Sequence, residues 1–105
     1  MMFVIGTQSG FVYTIQENDT NKREIIYKNG NEEAIVCVRF SRCYRYLAIA
    51  DSYSKAVVYD FGGSKFYRSD AGHQGLCLYS AFMNDNTRLI SYGSDGFAMV
   101  YRFQP

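Results

Sequence analysis

The sequence predicts an all-β chain built from repeated antiparallel units of four strands, and three observations carry that prediction. The stretches FVIGTQSGFVYTI (3–15), LAIADSYSKAVVY (47–59) and LISYGSDGFAMVY (89–101) align without a gap, at offsets of 44 and 42 residues that fall within the range of repeat architectures. Each stretch is an apolar run, a polar turn and a second apolar run, which is the pattern of a β-hairpin. No segment keeps an apolar period of 3.6 residues and the one proline is Pro105, so no significant helix is expected.

The elements follow in order. Ser9-Gly10 and Asp95-Gly96 supply the first and third hairpin turns with a glycine that tolerates positive φ, while the second has Tyr53-Ser54. Ile5 and Val12, Ile49 and Val57, and Leu89 and Val100 are the apolar residues on the two arms. Ahead of the second and third hairpins, AIVCVRF (34–40) and LCLYSAF (76–82) read as a further strand, ending in Phe40 and Phe82 at the same 42-residue offset. The polar turns SRCYR and MNDNTR separate strand from hairpin, the second with Asn and Asp, which favour turns. After the first two hairpins, REIIYK (23–28) and KFYRS (65–69) read as a fourth strand. The expected organisation is one domain of ten strands: a partial unit over 1–30, a complete one over 31–70 and a partial one over 71–105.

Bulk composition narrows the function classes. At 105 residues and 48% apolar content the chain has room for one modest core. A net charge of +1 gives no broad field for steering onto nucleic acid or an anionic membrane. Cys37, Cys43 and Cys77 are odd in number and form no Cys-x-x-Cys pair, so no disulfide framework is expected. The opening MMFVIGTQ has no basic region before a long apolar segment, and no run approaches the roughly 18 apolar residues of a membrane span. A soluble, cytoplasmic protein is expected, and Asn18-Asp19-Thr20 is then a chance glycosylation triplet.

The third unit resembles a WD-repeat β-propeller blade. His73, preceded by Gly72, stands nine residues before Phe82 and 22 before Asp95, which are that family's spacings. In the family a His, a turn Asp, a strand Ser and an aromatic residue form a hydrogen-bonded chain within the blade. The resemblance implies this structural role for His73, Asp95, Ser91 and Tyr101. The second unit has Asn31, Tyr53 and Ile49 at the first three places, which implies a blade held more by packing than by a buried polar network. The fold implied is a set of antiparallel four-stranded blades forming an incomplete ring of about two and a half blades, where complete propellers have about 4 to 8. A fragment of a longer polypeptide is expected, with self-association or partner strands as the alternative way to cover open edges. Within the family, LAIADSYSKAVVYD and CLYSAFMNDNTRL are similar to the actin-interacting protein 1 branch. Its members have two propellers and promote disassembly of cofilin-bound actin filaments, so the resemblance implies actin or cofilin as partners.

Two constellations invite chemistry. Ser91, His73 and Asp95 can be drawn as a hydrolytic set, but they occupy the resemblance's structural places, and the structural reading is preferred over an enzyme. A single histidine builds no His-rich metal site, and the glycines of GTQSG and FGGS lie in strand turns with no helix to cradle phosphate, so neither metal nor cofactor is expected. The stretch RFSRCYRYL interleaves Arg39, Arg42 and Arg45 with Phe40, Tyr44 and Tyr46. Arg and Tyr are hot-spot residue types, which makes Arg42, Tyr44 and Arg45, with Tyr53 at a hairpin tip, candidates for protein binding. The same turn offers an RNA- or phosphoinositide-binding alternative, and Cys43 within it could have a lowered thiol pKa. The reading as a whole is a non-catalytic protein-interaction scaffold.

Overall fold

The computed structural model describes residues 2–29, 33–51, 55–72 and 75–103. Ten strands run through them: β1 (Met2–Gly6), β2 (Phe11–Gln16), β3 (Asp19–Lys28), β4 (Ile35–Phe40), β5 (Tyr46–Asp51), β6 (Lys55–Asp60), β7 (Lys65–Gly72), β8 (Cys77–Phe82), β9 (Arg88–Gly93) and β10 (Ala98–Arg102). They form three antiparallel sheets, ordered β1-β2-β3, β4-β5-β6-β7 and β8-β9-β10. The all-β expectation holds, and the three sheets have three, four and three strands. Among the described residues no helix is long and apolar enough to cross a membrane.

The sequence repeat is also a repeat of register. Phe3 pairs with Ile15, Leu47 with Tyr59 and Leu89 with Tyr101, so the aligned ends of all three hairpins lie opposite one another. The bridging turns use the expected glycines, Gly10 at φ 88° and Gly96 at φ 84°, while the Tyr53-Ser54 turn lies outside the described residues. Even the irregularities recur. The β4–β5 ladder shifts between Ile35 and Cys37, and the β8–β9 ladder shifts between Cys77 and Tyr79, 42 residues on.

Strand alternation sends successive side chains to opposite faces, and the middle sheet uses both. Leu47, Ile49, Val57 and Tyr59 pack with Val12 and Tyr27 of the first sheet. Tyr46, Ala48, Ala56 and Val58 pack with Leu89 of the last, flanked by Phe82, Tyr101 and Phe103. Burial on both faces explains why β5 and β6 read as continuous apolar runs rather than as alternating ones. The outer sheets each keep one open face, carrying exposed Phe3, Ile5 and Ile25 on one side and Tyr92 and Val100 on the other.

Strand reversal collects the loops at two ends. One end has the turn at 7–10, whose Thr7 carbonyl accepts from Ile35 N–H at 2.8 Å. The other has the turns at 41–45, 61–64 and 83–87, tied together by bonds described below.

Candidate functional site

The arginine turn closes the β4–β5 corner and is held from within. Ser41 is buried. Its N–H donates to the Tyr46 carbonyl at 2.8 Å, its own carbonyl accepts from Tyr44 N–H at 3.0 Å, and its hydroxyl accepts from Tyr46 N–H at 3.1 Å. These three bonds bring the chain round so tightly that Tyr44 lies at φ 62°. Positive φ is costly for a bulky residue, and such strain persists where the surroundings over-determine it. The Tyr44 ring leans on Phe40 with centroids 5.8 Å apart and is nevertheless 73% exposed. Arg42 is exposed beside it.

Arg45 behaves differently from its neighbours. Its Nε and a terminal nitrogen donate to the two carboxylate oxygens of Asp60, at 2.9 and 3.2 Å. Asp60, at the end of β6, is buried and also accepts from Gly62 N–H at 2.9 Å. A Cβ at Gly62 would lie 2.8 Å from Arg45 Nε, so a residue without a side chain is what lets the guanidinium settle there. The Arg45 bond, with support from Gly62 and Gly63, holds the Asp60 carboxyl below the ordinary carboxylate range and raises the arginine. Phe61 N–H donates to the Arg45 carbonyl at 3.0 Å, so backbone and ion pair together lock the 41–45 turn onto the 61–64 turn. The middle sheet therefore does have a polar anchor. It stands at a corner of the sheet, in a unit expected to be held more by packing than by a buried polar network.

The third turn joins on the other side. Cys43 N–H donates to Asn86 Oδ1 at 3.2 Å; Asn86 sits at φ 59°, a conformation asparagine tolerates better than most residues. Asp85 accepts from Thr87 N–H, Arg88 N–H and Arg88 Nε at 3.0, 3.1 and 2.8 Å, which lowers its pKa, the Thr87 bond foremost. The Cys43 thiol is exposed, lies 3.4 Å from the Ser41 hydroxyl and is lowered chiefly by that bond. Beneath the three turns, Phe103 packs edge-on against Tyr46, Tyr67 and Phe82 with centroids 4.9, 5.3 and 5.8 Å away. The result is a rigid end surface from which Tyr44 and Arg42 project.

The remaining candidate residues divide. Ser91 is wholly buried and its hydroxyl donates to the Tyr101 hydroxyl at 3.3 Å, which donates in turn to Met99 Sδ at 3.1 Å. Asp95 accepts from Phe97 N–H at 3.1 Å within its hairpin turn. His73 and Tyr53 lie outside the described residues. Across the ladder from Ser91 stands Ser80, also fully buried, whose hydroxyl has no hydrogen-bond partner among the described residues. Among the described residues no three His, Cys, Asp or Glu side chains gather as metal ligands, and all three cysteines are free. Sequence reasoning passed over Asp60, Asn86 and Ser80. The available signal for Asp60 was an acid ending an apolar strand, followed by Phe61 and the Gly62-Gly63 turn.

No protein-family model and no curated protein matches the chain. Among solved structures, the crystal structure of the computationally designed Ika4 protein is similar, with a TM-score of 0.74 and 19% identity over 98% of this chain and 61% of that one. At that identity the likeness is one of fold, and the chain spans less than two thirds of the length of the structure it matches.

Proposed function

We propose that the chain is a non-catalytic protein-interaction scaffold, a segment of a WD-repeat propeller, that engages partners through the 41–45 turn. The observation that carries this reading is Tyr44. An aromatic side chain held at positive φ and 73% exposed is costly for folding alone and suits a contact residue, since tyrosine presents a large rigid area at low entropic cost. Arg42 adds a charged neighbour, and the Arg45–Asp60 pair keeps the turn from adapting. The recurrence of register and bulge at the repeat period supports the propeller reading. So does the Ser91–Tyr101 bond, which joins two of the residues that the WD-repeat resemblance puts in one network. The burial of Ser91 favours that structural role over a hydrolytic one. Cysteines outside any disulfide agree with a cytoplasmic setting, and the actin-interacting branch supplies the first partners to try.

Cosedimentation with actin filaments, bare and cofilin-decorated, tests the proposal. The wild-type chain is expected to pellet with the decorated filaments, and an Arg42→Ala/Tyr44→Ala variant to bind about tenfold more weakly, as loss of one hot-spot contact does. Undiminished binding by the variant removes the turn from the interface. Binding instead to RNA or phosphoinositide vesicles, falling steeply as salt rises, would establish the phosphate-binding alternative.

A further inference from the structure

The middle sheet meets its two neighbours through two interfaces of one design. In its hairpin, Leu47, Ile49, Val57 and Tyr59 face the preceding sheet, and the alternate residues Ala48, Ala56 and Val58 face the following one. The gap-free repeat transfers both sets to the outer sheets. The open face of the first sheet, with Phe3, Ile5, Tyr13 and Ile15, is equivalent to the set that elsewhere receives a preceding sheet. The open face of the last sheet, with Ile90, Tyr92, Ala98 and Val100, is equivalent to the set that elsewhere receives a following sheet. Phe3, Ile5, Tyr92 and Val100 are 48, 42, 48 and 60% exposed. The two open faces are thus the two halves of an interface that the molecule already makes twice.

We infer that these faces cover each other between two copies of the chain, the last sheet of each docking on the first sheet of the other. Tyr92 argues for a second copy over a further complete sheet. It stands where the covered faces have Gly6 and Ala50. At Gly6 a Cβ would run into the side chain of Ile35, on the leading strand of the following sheet, so a tyrosine there has no room against a sheet that has such a strand. Among the described residues the first sheet has no such strand: its edge strand β1 corresponds to β5 and β9, each of which lies beside a leading strand, β4 or β8. A second copy leaves open the space that the Tyr92 ring fills. Charge agrees. Arg102 lies across from Arg88, itself paired with Asp85, at one end of the last sheet, and Glu17 and Asp19 follow Gln16 at the corresponding end of the first. Each copy offers one face of each kind, so the contact is heterologous and closure uses both. Two copies bring six sheets, within the range in which propellers close; the inference rests on the propeller reading in that respect.

Light scattering after size exclusion, over a range of micromolar concentrations, is the test. Twice the chain mass of 12.0 kDa is expected. Ile5→Asp and Val100→Asp each alter one exposed face, and each variant alone is expected to run as a monomer with unchanged far-ultraviolet circular dichroism. Tyr92→Ala, which introduces no charge, is expected to shift the same equilibrium toward monomer. Mixing the two aspartate variants is expected to restore a two-copy species, because the mixture retains one intact pair of unlike faces. A wild-type monomer, a dimer that survives either aspartate substitution, or a mixture that stays monomeric at every concentration overturns the pairing and leaves the propeller reading standing. A mass that grows with concentration beyond two copies overturns both, since sheets that fail to radiate from one axis do not close.

Discussion

The two faces of the middle sheet solve the same packing problem with different materials. Toward the first sheet the contact is large and apolar: Leu47, Ile49 and Val57 meet Val12 and Tyr27, all but fully buried. Toward the last sheet small residues are mixed with large ones, Tyr46, Val58 and Leu89 among them. Ala48 and Ala56 lie in that cluster, and Ser80 and Ser91 are wholly buried in the last sheet. The first arrangement draws its stability from area removed from water. The second combines apolar burial with a Ser91–Tyr101 hydrogen bond inside the last sheet, and its Ser80 hydroxyl, unpaired among the described residues, is a cost.

The contrast predicts a graded set of responses, each read as a urea midpoint at one fixed protein concentration so that association does not confound it. Ile49→Ala empties part of the apolar face and should cost the most, about 2–5 kcal/mol; a loss below that range would mean that the first and middle sheets collapse around the gap. Asp60→Ala leaves Arg45 and the Gly62 N–H without their acceptor and should cost roughly 1.5–3 kcal/mol, as hydrogen bonds to charged groups do. Ser91→Ala removes the donor to Tyr101 and should cost roughly 0.5–1.5 kcal/mol. Ser80→Ala, opposite it, should leave stability unchanged or raise it by up to about 1 kcal/mol. Equal losses at the two serines would show that the hydroxyls work as one network and erase the distinction between them.

Acid sharpens the same comparison, because the ion pair belongs to the corner of the middle sheet while the serines do not titrate. Asp60 has its pKa lowered in the folded chain, mainly by Arg45. Its contribution is therefore complete above the unfolded carboxylate value, about 3.9, and is lost as pH falls through the lower folded value. Asp60→Asn should give a shallower decline of the urea midpoint below about pH 4, with Asp85, lowered in the same direction, responsible for part of the slope that remains. An acid limb unchanged by the substitution would show that the pair titrates alike in folded and unfolded chains.

All ten strands were legible in the sequence where local chemistry punctuates them, as Gly10 and Gly96 do in the hairpin turns and Asn84, Asp85 and Asn86 between β8 and β9. β3 and β7, expected over 23–28 and 65–69, extend to Asp19–Lys28 and Lys65–Gly72, because ladder pairing carries polar residues into a strand that composition assigns to a loop. Which face each residue serves was less legible. Ile5 and Val12 look alike as apolar arms, yet Val12 is fully buried and Ile5 is 42% exposed. Period-two alternation separates two faces without saying which is covered when both are apolar. The candidate turn was found by composition, but its division of labour was not. Arg45 differs from Arg42 only through Asp60, 15 residues away, and a contact between two turns leaves no mark on the pattern of either. Ser80 reads as one more strand residue until burial removes its access to water.

The alternation of the middle sheet also bears on how such a chain can lengthen. A sheet whose one face accepts a predecessor and whose other face accepts a successor is a connector, and the register of its hairpin is shared with both neighbours. Tandem duplication of a 42-residue unit would hand each new copy the same pair of surfaces, so growth by insertion is compatible with every interface already present.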